Sequence, residues 1–196
     1  NEPDGIDSVW TYLLRGKQMV DLDWNSHNEV DRLAQLVARS DLLIGDLDPS
    51  EAALIDWDAL GSRSQLRVRT LITPLGLDGP DCDAPTTPST LLARSGHTFL
   101  VGDPGRAPLS LPDSYVSYQA GLYAYTATLA AWLDPDSADR VSSVDISELE
   151  VLASLHQHTT VRHSYAGQLR RRHGNRYDGT YPITMLPCQD GWFGMC

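Results

Sequence analysis

The sequence predicts an α/β fold built on a parallel, doubly wound sheet with helices on its faces. Short apolar runs of strand length alternate with stretches of helical periodicity, the pattern of successive βαβ units. A glycine-rich turn, PLGLDGP over residues 74–80, follows one of these strands directly. Sheets of this class gather ligands at such turns, at the carboxyl ends of their strands. Finally, residues 117–133 carry no formal charge and are apolar nearly all round a helical wheel. That pattern predicts a central helix buried on most sides.

Taken in order, residues 19–23 (MVDLD) alternate apolar and acidic side chains and read as a short strand. A helix follows over 28–39, with Val30, Leu33, Leu36 and Val37 on one face and Ser26 as its cap. The run Leu42, Leu43, Ile44 before Gly45 reads as a strand buried on both faces. Ser50 is placed to cap a helix through Leu60, and residues 66–73 (LRVRTLIT) form the next strand, closed by the glycine turn. Beyond a loop over 81–88, a short helix spans 89–95 with Gly96 past its end.

Ser110, Pro112 and Asp113 predict the start of the central helix near Leu111: a hydroxyl at the N-cap, a proline in the first turn and a carboxylate at the third position. In that place Asp113 satisfies backbone donors and complements the helix dipole. The apolar stretch is shorter than the roughly 20 residues that cross a bilayer, so no membrane span is expected. Residues 141–146 (VSSVDI) read as a strand, and Ser147 caps one long helix over 148–169. The tail, 181–186 and 192–196 around Gln189, Asp190 and Gly191, reads as a hairpin.

A net charge of -11 argues against nucleic acid or an anionic membrane as partner, because both need a basic surface to displace counterions. The one dense basic run, Arg170, Arg171, Arg172 and His173 with Arg176 beyond, reads as a solvated helix end. Cys82, Cys188 and Cys196 are odd in number and lack a C-x-x-C spacing, so neither a zinc site nor a disulfide framework is expected, and a cytoplasmic setting follows. His156, His158 and His163 fall on the long helix, where neighbours two apart point to different faces and cannot share a metal. The chain opens on Asn1 without a Met or a leader, and its sheet begins without a first βαβ unit and stops mid-structure. These features predict a segment of a longer protein.

Several segments, in order, carry a resemblance. They are Arg15, Gly16 and Lys17 before MVDLD; LITPLGLDGP; Ser95 with Gly96; the central AGLYAY; VDISELE; and Gly174, Asn175 and Arg176 followed by LPCQDGW. Together, over nearly the whole chain, they resemble the family III CoA-transferases, the group of formyl-CoA:oxalate and carnitine CoA-transferases and α-methylacyl-CoA racemase. The resemblance implies a Rossmann-like large domain over residues 1–175, lacking its first βαβ unit, with entry into a small domain over 176–196. It implies an interlocked homodimer, or a tandem or heterodimeric partner half. It further implies a coenzyme A thioester as substrate rather than a tightly bound cofactor, and a carboxylic acid as the acceptor.

The family's chemistry is covalent. An aspartate carboxylate attacks the acyl-CoA thioester, forms a mixed anhydride, becomes an enzyme–CoA thioester and then delivers CoA to a second acid, so one hard exchange is split into easier ones. In typical members that aspartate lies four residues before the glycine matching Gly121; here the position holds Ser117. A serine ester is a poor donor back to a thiol, and no G-x-S-x-G elbow surrounds Ser117. Asp113 lies on the same helical face but about 6 Å along the axis, where about 1 Å of misplacement can cost a hundredfold.

A second departure follows the strand LLI. Typical members place an Asn and an Arg near the CoA phosphates, whereas this chain has Asp46 and Asp48, which turns attraction into repulsion. Arg15 and Lys17 remain as candidate phosphate contacts, with surface charge as the alternative, and the amides of Gly76 to Gly79 as a cradle for pantetheine or the acyl carbonyl, with a tight glycine turn as the alternative.

Three readings follow: an active transferase with altered residues, a catalytically silent half that pairs with an active one, and a racemase-like isomerase. For the last, the expected pairing of a histidine with an aspartate is not apparent, since His97 follows Gly96 beyond the helix where it would be sought.

Overall fold

The computed structural model describes residues 8–23, 26–48, 51, 55–57, 65–135, 140–177 and 179–196. Its elements are α1 (Ser8–Leu14), α2 (His27–Val37), β1 (Leu42–Asp46), β2 (Val68–Thr73), α3 (Pro88–Arg94), α4 (His97–Leu100), α5 (Ser114–Leu133), β3 (Ser142–Ser147), α6 (Glu148–Ser154), α7 (Gln157–Ala166), β4 (Thr184–Cys188) and β5 (Gly191–Met195). The expected α/β class is the one observed. Strands β1, β2 and β3 form a parallel sheet in sequence order, with Ile44 opposite Thr70 and Thr70 opposite Val144. The central strand β2 is the most deeply covered, as a parallel strand with helices to pack on must be.

Register decides which side chains meet the central helix. Ile72 and Ile146 are partners across β2 and β3, and both pack against Ala120 and Ala124 of α5. Because side chains alternate along a strand, Thr70 shares that face, and its hydroxyl lies 2.6 Å from the Thr128 hydroxyl of α5. Thr128 donates to the Ala124 carbonyl at 2.6 Å, so Thr70 is the donor to Thr128. The pair places a satisfied polar bond inside an apolar layer. A second cluster, Leu91, Leu92, Val116 and Leu152, joins α3, α5 and α6 beyond the end of the sheet.

Several expectations are corrected. Residues 19–23 are not a strand: they run as irregular chain outside both sheets. The central helix begins at Ser114, not near Leu111. The Ser110 hydroxyl bonds the Leu111 carbonyl, and Asp113 takes the N-cap place without a side-chain cap bond. Nor is α5 buried on most sides. Its covered stripe is Val116, Ala120, Ala124 and Thr128, one residue per turn, while Tyr118, Leu122 and Tyr125 are exposed. Apolar side chains all round a wheel record what a helix can cover, not what this chain covers.

The single helix expected over 148–169 is two. Ser147 does cap the first, accepting from the Glu150 amide, but the chain turns at Leu155 and His156 before α7, which ends at left-handed Gly167. The basic run is no solvated helix end either. Arg172 donates to the carbonyls of Phe99 and Asp103 and lies over the Phe99 ring, which ties this segment to the loop after α4. Arg170 lies over Tyr177. The expected helix over 50–60 falls largely outside the described residues. The short helix expected at 89–95 is found as α3, with Thr87 and Thr90 forming a reciprocal capping box, and the tail is the expected antiparallel hairpin.

Candidate functional site

The carboxyl ends of the three strands open on the glycine turn and on a cleft. Gly76 sits in the left-handed region at φ 93°, which glycine adopts without strain, and it lies beside the Asp145 carboxylate and the Ser147 side chain, each 3.7 Å from where a Cβ would stand. The next amide, Leu77, donates to the Asp145 carboxylate at 3.0 Å. One donor of the expected cradle is therefore already engaged by the protein. Asp145 stands beside the glycine turn, yet it alternates with Val144 and Ile146, which face α5. It is on the opposite side of the sheet from Ser117. Gly79, also left-handed at φ 113°, is exposed and meets nothing within 4 Å.

On the β1 side of the turn lies an open cleft of about 310 Å³ lined by Asp46, Asp48, Glu51 and Glu148, with Thr86, Thr87, Pro74 and Leu91. Burial pushes the Asp46 carboxyl up from the usual carboxylate range, and the charges of Asp48 and Glu51 add to it. Burial likewise raises Glu148, with Asp46 as the second cause. Asp48 and Glu51 are held together by a bond from the Asp48 amide to the Glu51 carboxylate at 3.1 Å. The place where a phosphate partner was sought is thus acidic in space as well as in sequence. Among the described residues, no group of three or more His, Cys, Asp or Glu side chains converges as a metal site requires.

Ser117 and Asp113 both lie at the surface. Asp113 accepts a 3.5 Å contact from Ser89 Oγ of α3, and from Ser114 to Leu133 the helix holds no carboxylate at all. Gly121, one turn after Ser117, has open space around the position of a Cβ. Glycine inside a helix costs about 1 kcal/mol against alanine, and packing among the described residues gives no reason for it. Arg15 and Lys17 are exposed in the turn after α1, and among the described residues no hydrogen bond or ion pair joins them to the glycine turn or to α5. The structure therefore groups Gly76 and Gly79 at the strand ends, sets Ser117 with Gly121 on the outer face of α5, and brings neither Arg15 nor Lys17 to them.

Sequence reasoning missed a histidine pair. His97, only 7% exposed, has Nδ1 at 3.0 Å from Ser95 Oγ and 3.1 Å from His156 Nε2. Its ring meets Tyr115, in the first turn of α5, edge-on. Burial, with His156 as second cause, pulls His97 down to about 4, so the imidazole is neutral at physiological pH. His156 is lowered too, by burial first and by Arg170 second, against a bond to the Ser95 backbone that raises it. The two residues are far apart in sequence, and the break between α6 and α7 that turns His156 inward was not visible as periodicity. Asp113 and His97 flank opposite ends of α3, whose seven residues span about 10 Å, so they do not form a pair.

Comparison with known proteins places this geometry. The sequence model of CoA-transferase family III matches residues 1–196. The alpha subunit of succinyl-CoA–L-malate CoA-transferase from Chloroflexus aurantiacus is 24% identical over 170 residues, which are 85% of this chain and 40% of that protein. Among solved structures, a CAIB/BAIF family protein from Brucella suis superposes with a TM-score of 0.82 at 21% identity, covering 91% of this chain and 48% of its own. A hypothetical protein from Mycobacterium tuberculosis gives a TM-score of 0.71 at 22% identity, over 90% of this chain and 48% of its own. The chain thus spans about half the length of these solved relatives, or less of the curated one.

Proposed function

This chain belongs to CoA-transferase family III, and from that premise we propose that it is an acyl-CoA-handling half of a CoA-transferase, whose reacting carboxylate is supplied by a partner half. The observation that carries the proposal is Ser117, which the resemblance sets at the family's nucleophile position: it is a hydroxyl at the surface of a helix that holds no carboxylate from Ser114 to Leu133. Gly121 beside it lies open, as a helix does where another molecule comes close. The acidic cleft of Asp46, Asp48, Glu51 and Glu148 repels the phosphates of CoA, so that end of the ligand is held by other basic groups, with Arg15 and Lys17 as candidates. A heteromeric arrangement accords with a relative that is itself an alpha subunit. The large domain over 1–175 and the small-domain entry over 176–196 belong to the same proposal. Titration calorimetry with CoA tests it: weak or absent binding by the chain alone, gained on adding the partner half, supports the reading. Tight binding by the chain alone, with thioester exchange, contradicts it.

A second reading rests on His97. A buried imidazole that is neutral at physiological pH, inside an acyl-CoA fold, suits removal of the proton α to a thioester, the work of a racemase-like isomerase. Exchange of the α-proton of an acyl-CoA into deuterated water tests this reading, and absence of exchange removes it.

A further inference from the structure

Helix α7 is attached near its two ends. No residue of Gln157–Ala166 is buried, so little apolar packing holds the helix down along its length. At its start, the His156 carbonyl accepts from the Thr160 amide in the first turn of α7, and the His156 ring stands against that of His97. Beyond its end, Arg172 donates to the carbonyls of Phe99 and Asp103, and the Gly174 amide donates to the Gly102 carbonyl. Both attachments therefore reach one short stretch, residues 97–103. His97 in turn meets Tyr115 at the first turn of α5, two residues before Ser117.

The attachment at the start can hold one proton but not two. His97 Nδ1 and His156 Nε2 are 3.1 Å apart, with ring centroids at 4.1 Å. A hydrogen bond between them needs one nitrogen with a proton and one without, whichever of the two carries it. A histidinium has protons on both nitrogens, so two such rings set N–H against N–H and charge against charge. The surroundings offer no relief: the Ser95 hydroxyl and Tyr115 are uncharged at acid pH, and Arg170, from beyond α7, adds positive charge. On α7 itself, His158 and His163 are exposed.

We propose that α7 is a strap latched by the His97–His156 contact, and that protonation of both rings releases its start while the sheet and the inner face of α5 stay packed. The sign follows from linkage. Burial lowers both histidines in the latched chain, so the open strap binds more protons and opening grows as pH falls from 6.5 toward 4. The bonds of Arg172 do not titrate in this range, so the far end of the strap stays attached.

Hydrogen–deuterium exchange of the full chain tests the latch, read by peptide mass spectrometry between about pH 7 and about pH 4 and corrected for the intrinsic exchange rate at each pH. The expected result is a fall of about tenfold or more in the protection of residues 155–166, while β2 and the inner face of α5 keep theirs. His97→Gln and His156→Gln each leave one titrating ring in the contact and should abolish the fall, with thermal unfolding at pH 7 checking that each variant is folded. Unchanged protection of residues 155–166 in the unaltered chain overturns the proposal without recourse to a variant. So does a loss over β2 and α5 in step with α7, or a fall that persists in both variants.

Discussion

The two faces of α5 differ in what their residues answer to. On the inner face, Val116, Ala120, Ala124 and Thr128 recur once per turn, and each is accounted for by contacts inside this chain: small side chains let the helix settle onto Ile72 and Ile146, and Thr128 meets Thr70. On the outer face, Ser117, Gly121, Leu122 and Tyr125 are exposed, and no contact among the described residues explains a mid-helix glycine or the exposed apolar side chains around it. The inner face holds the fold, and the outer face carries Ser117, which the proposal above sets at the family's reacting position. The two sets of residues share no atoms, so one face of a helix can keep its packing while the other changes.

The largest effect belongs to the inner layer. Leu152 is fully buried against Leu91, Leu92 and Val116, and Leu152→Ala removes apolar burial and leaves a cavity. A loss of about 3 kcal/mol in chemical denaturation is expected; a loss below about 1 kcal/mol would break the division between a packed inner side and an open outer one.

The histidine pair comes next. His97 is pulled from 6.5 to about 4 in the folded chain, so between those values the unfolded state binds more protons. Stability from this group is therefore complete above about pH 6.5 and falls as pH drops toward 4, by about 3 kcal/mol for the whole shift. His97→Gln should flatten that part of the stability–pH curve. An equally steep curve in the variant would assign the acid sensitivity elsewhere.

Thr128→Val leaves the Thr70 hydroxyl, which is fully buried, without its acceptor and is expected to cost about 2 kcal/mol. The double change Thr70→Val with Thr128→Val should cost less than the sum of the single changes, measured as a double-mutant cycle.

The smallest effect has the opposite sign and sharpens the comparison most. Gly121→Ala, into open space, is expected to raise the stability of the isolated chain by about 0.5–1 kcal/mol while weakening association with the partner half or the CoA ligand. A destabilised chain would mean that Gly121 serves the fold after all.

What could be read from sequence divides along the same line. Strand runs such as LRVRTLIT and the cap at Ser147 were legible because they rest on local chemistry: apolar alternation and a hydroxyl before acidic first-turn residues. The spacing of Ser117 to Gly121 is one helical turn, and both residues lie on the exposed side of α5. The start of α5 was misplaced because Ser110 and Pro112 satisfy a capping pattern that the chain resolves differently, with Ser110 bonded to Leu111. Exposure of the outer face of α5 had no local signature, since tyrosine and leucine look alike whether covered or not. The His97–His156 pair depends on a helix break and on contact across 59 positions, which periodicity does not encode.

The central claim, that the chain holds its family's fold without its family's nucleophile, is tested most directly by intact-mass and peptide-level mass spectrometry of the chain incubated with an acyl-CoA and quenched with hydroxylamine. The account predicts an unmodified chain, with no acyl ester on Ser117 in a parallel sample quenched with acid and no hydroxamate on Asp113 after hydroxylamine. A covalent adduct at either residue, formed in step with release of CoA, would contradict it.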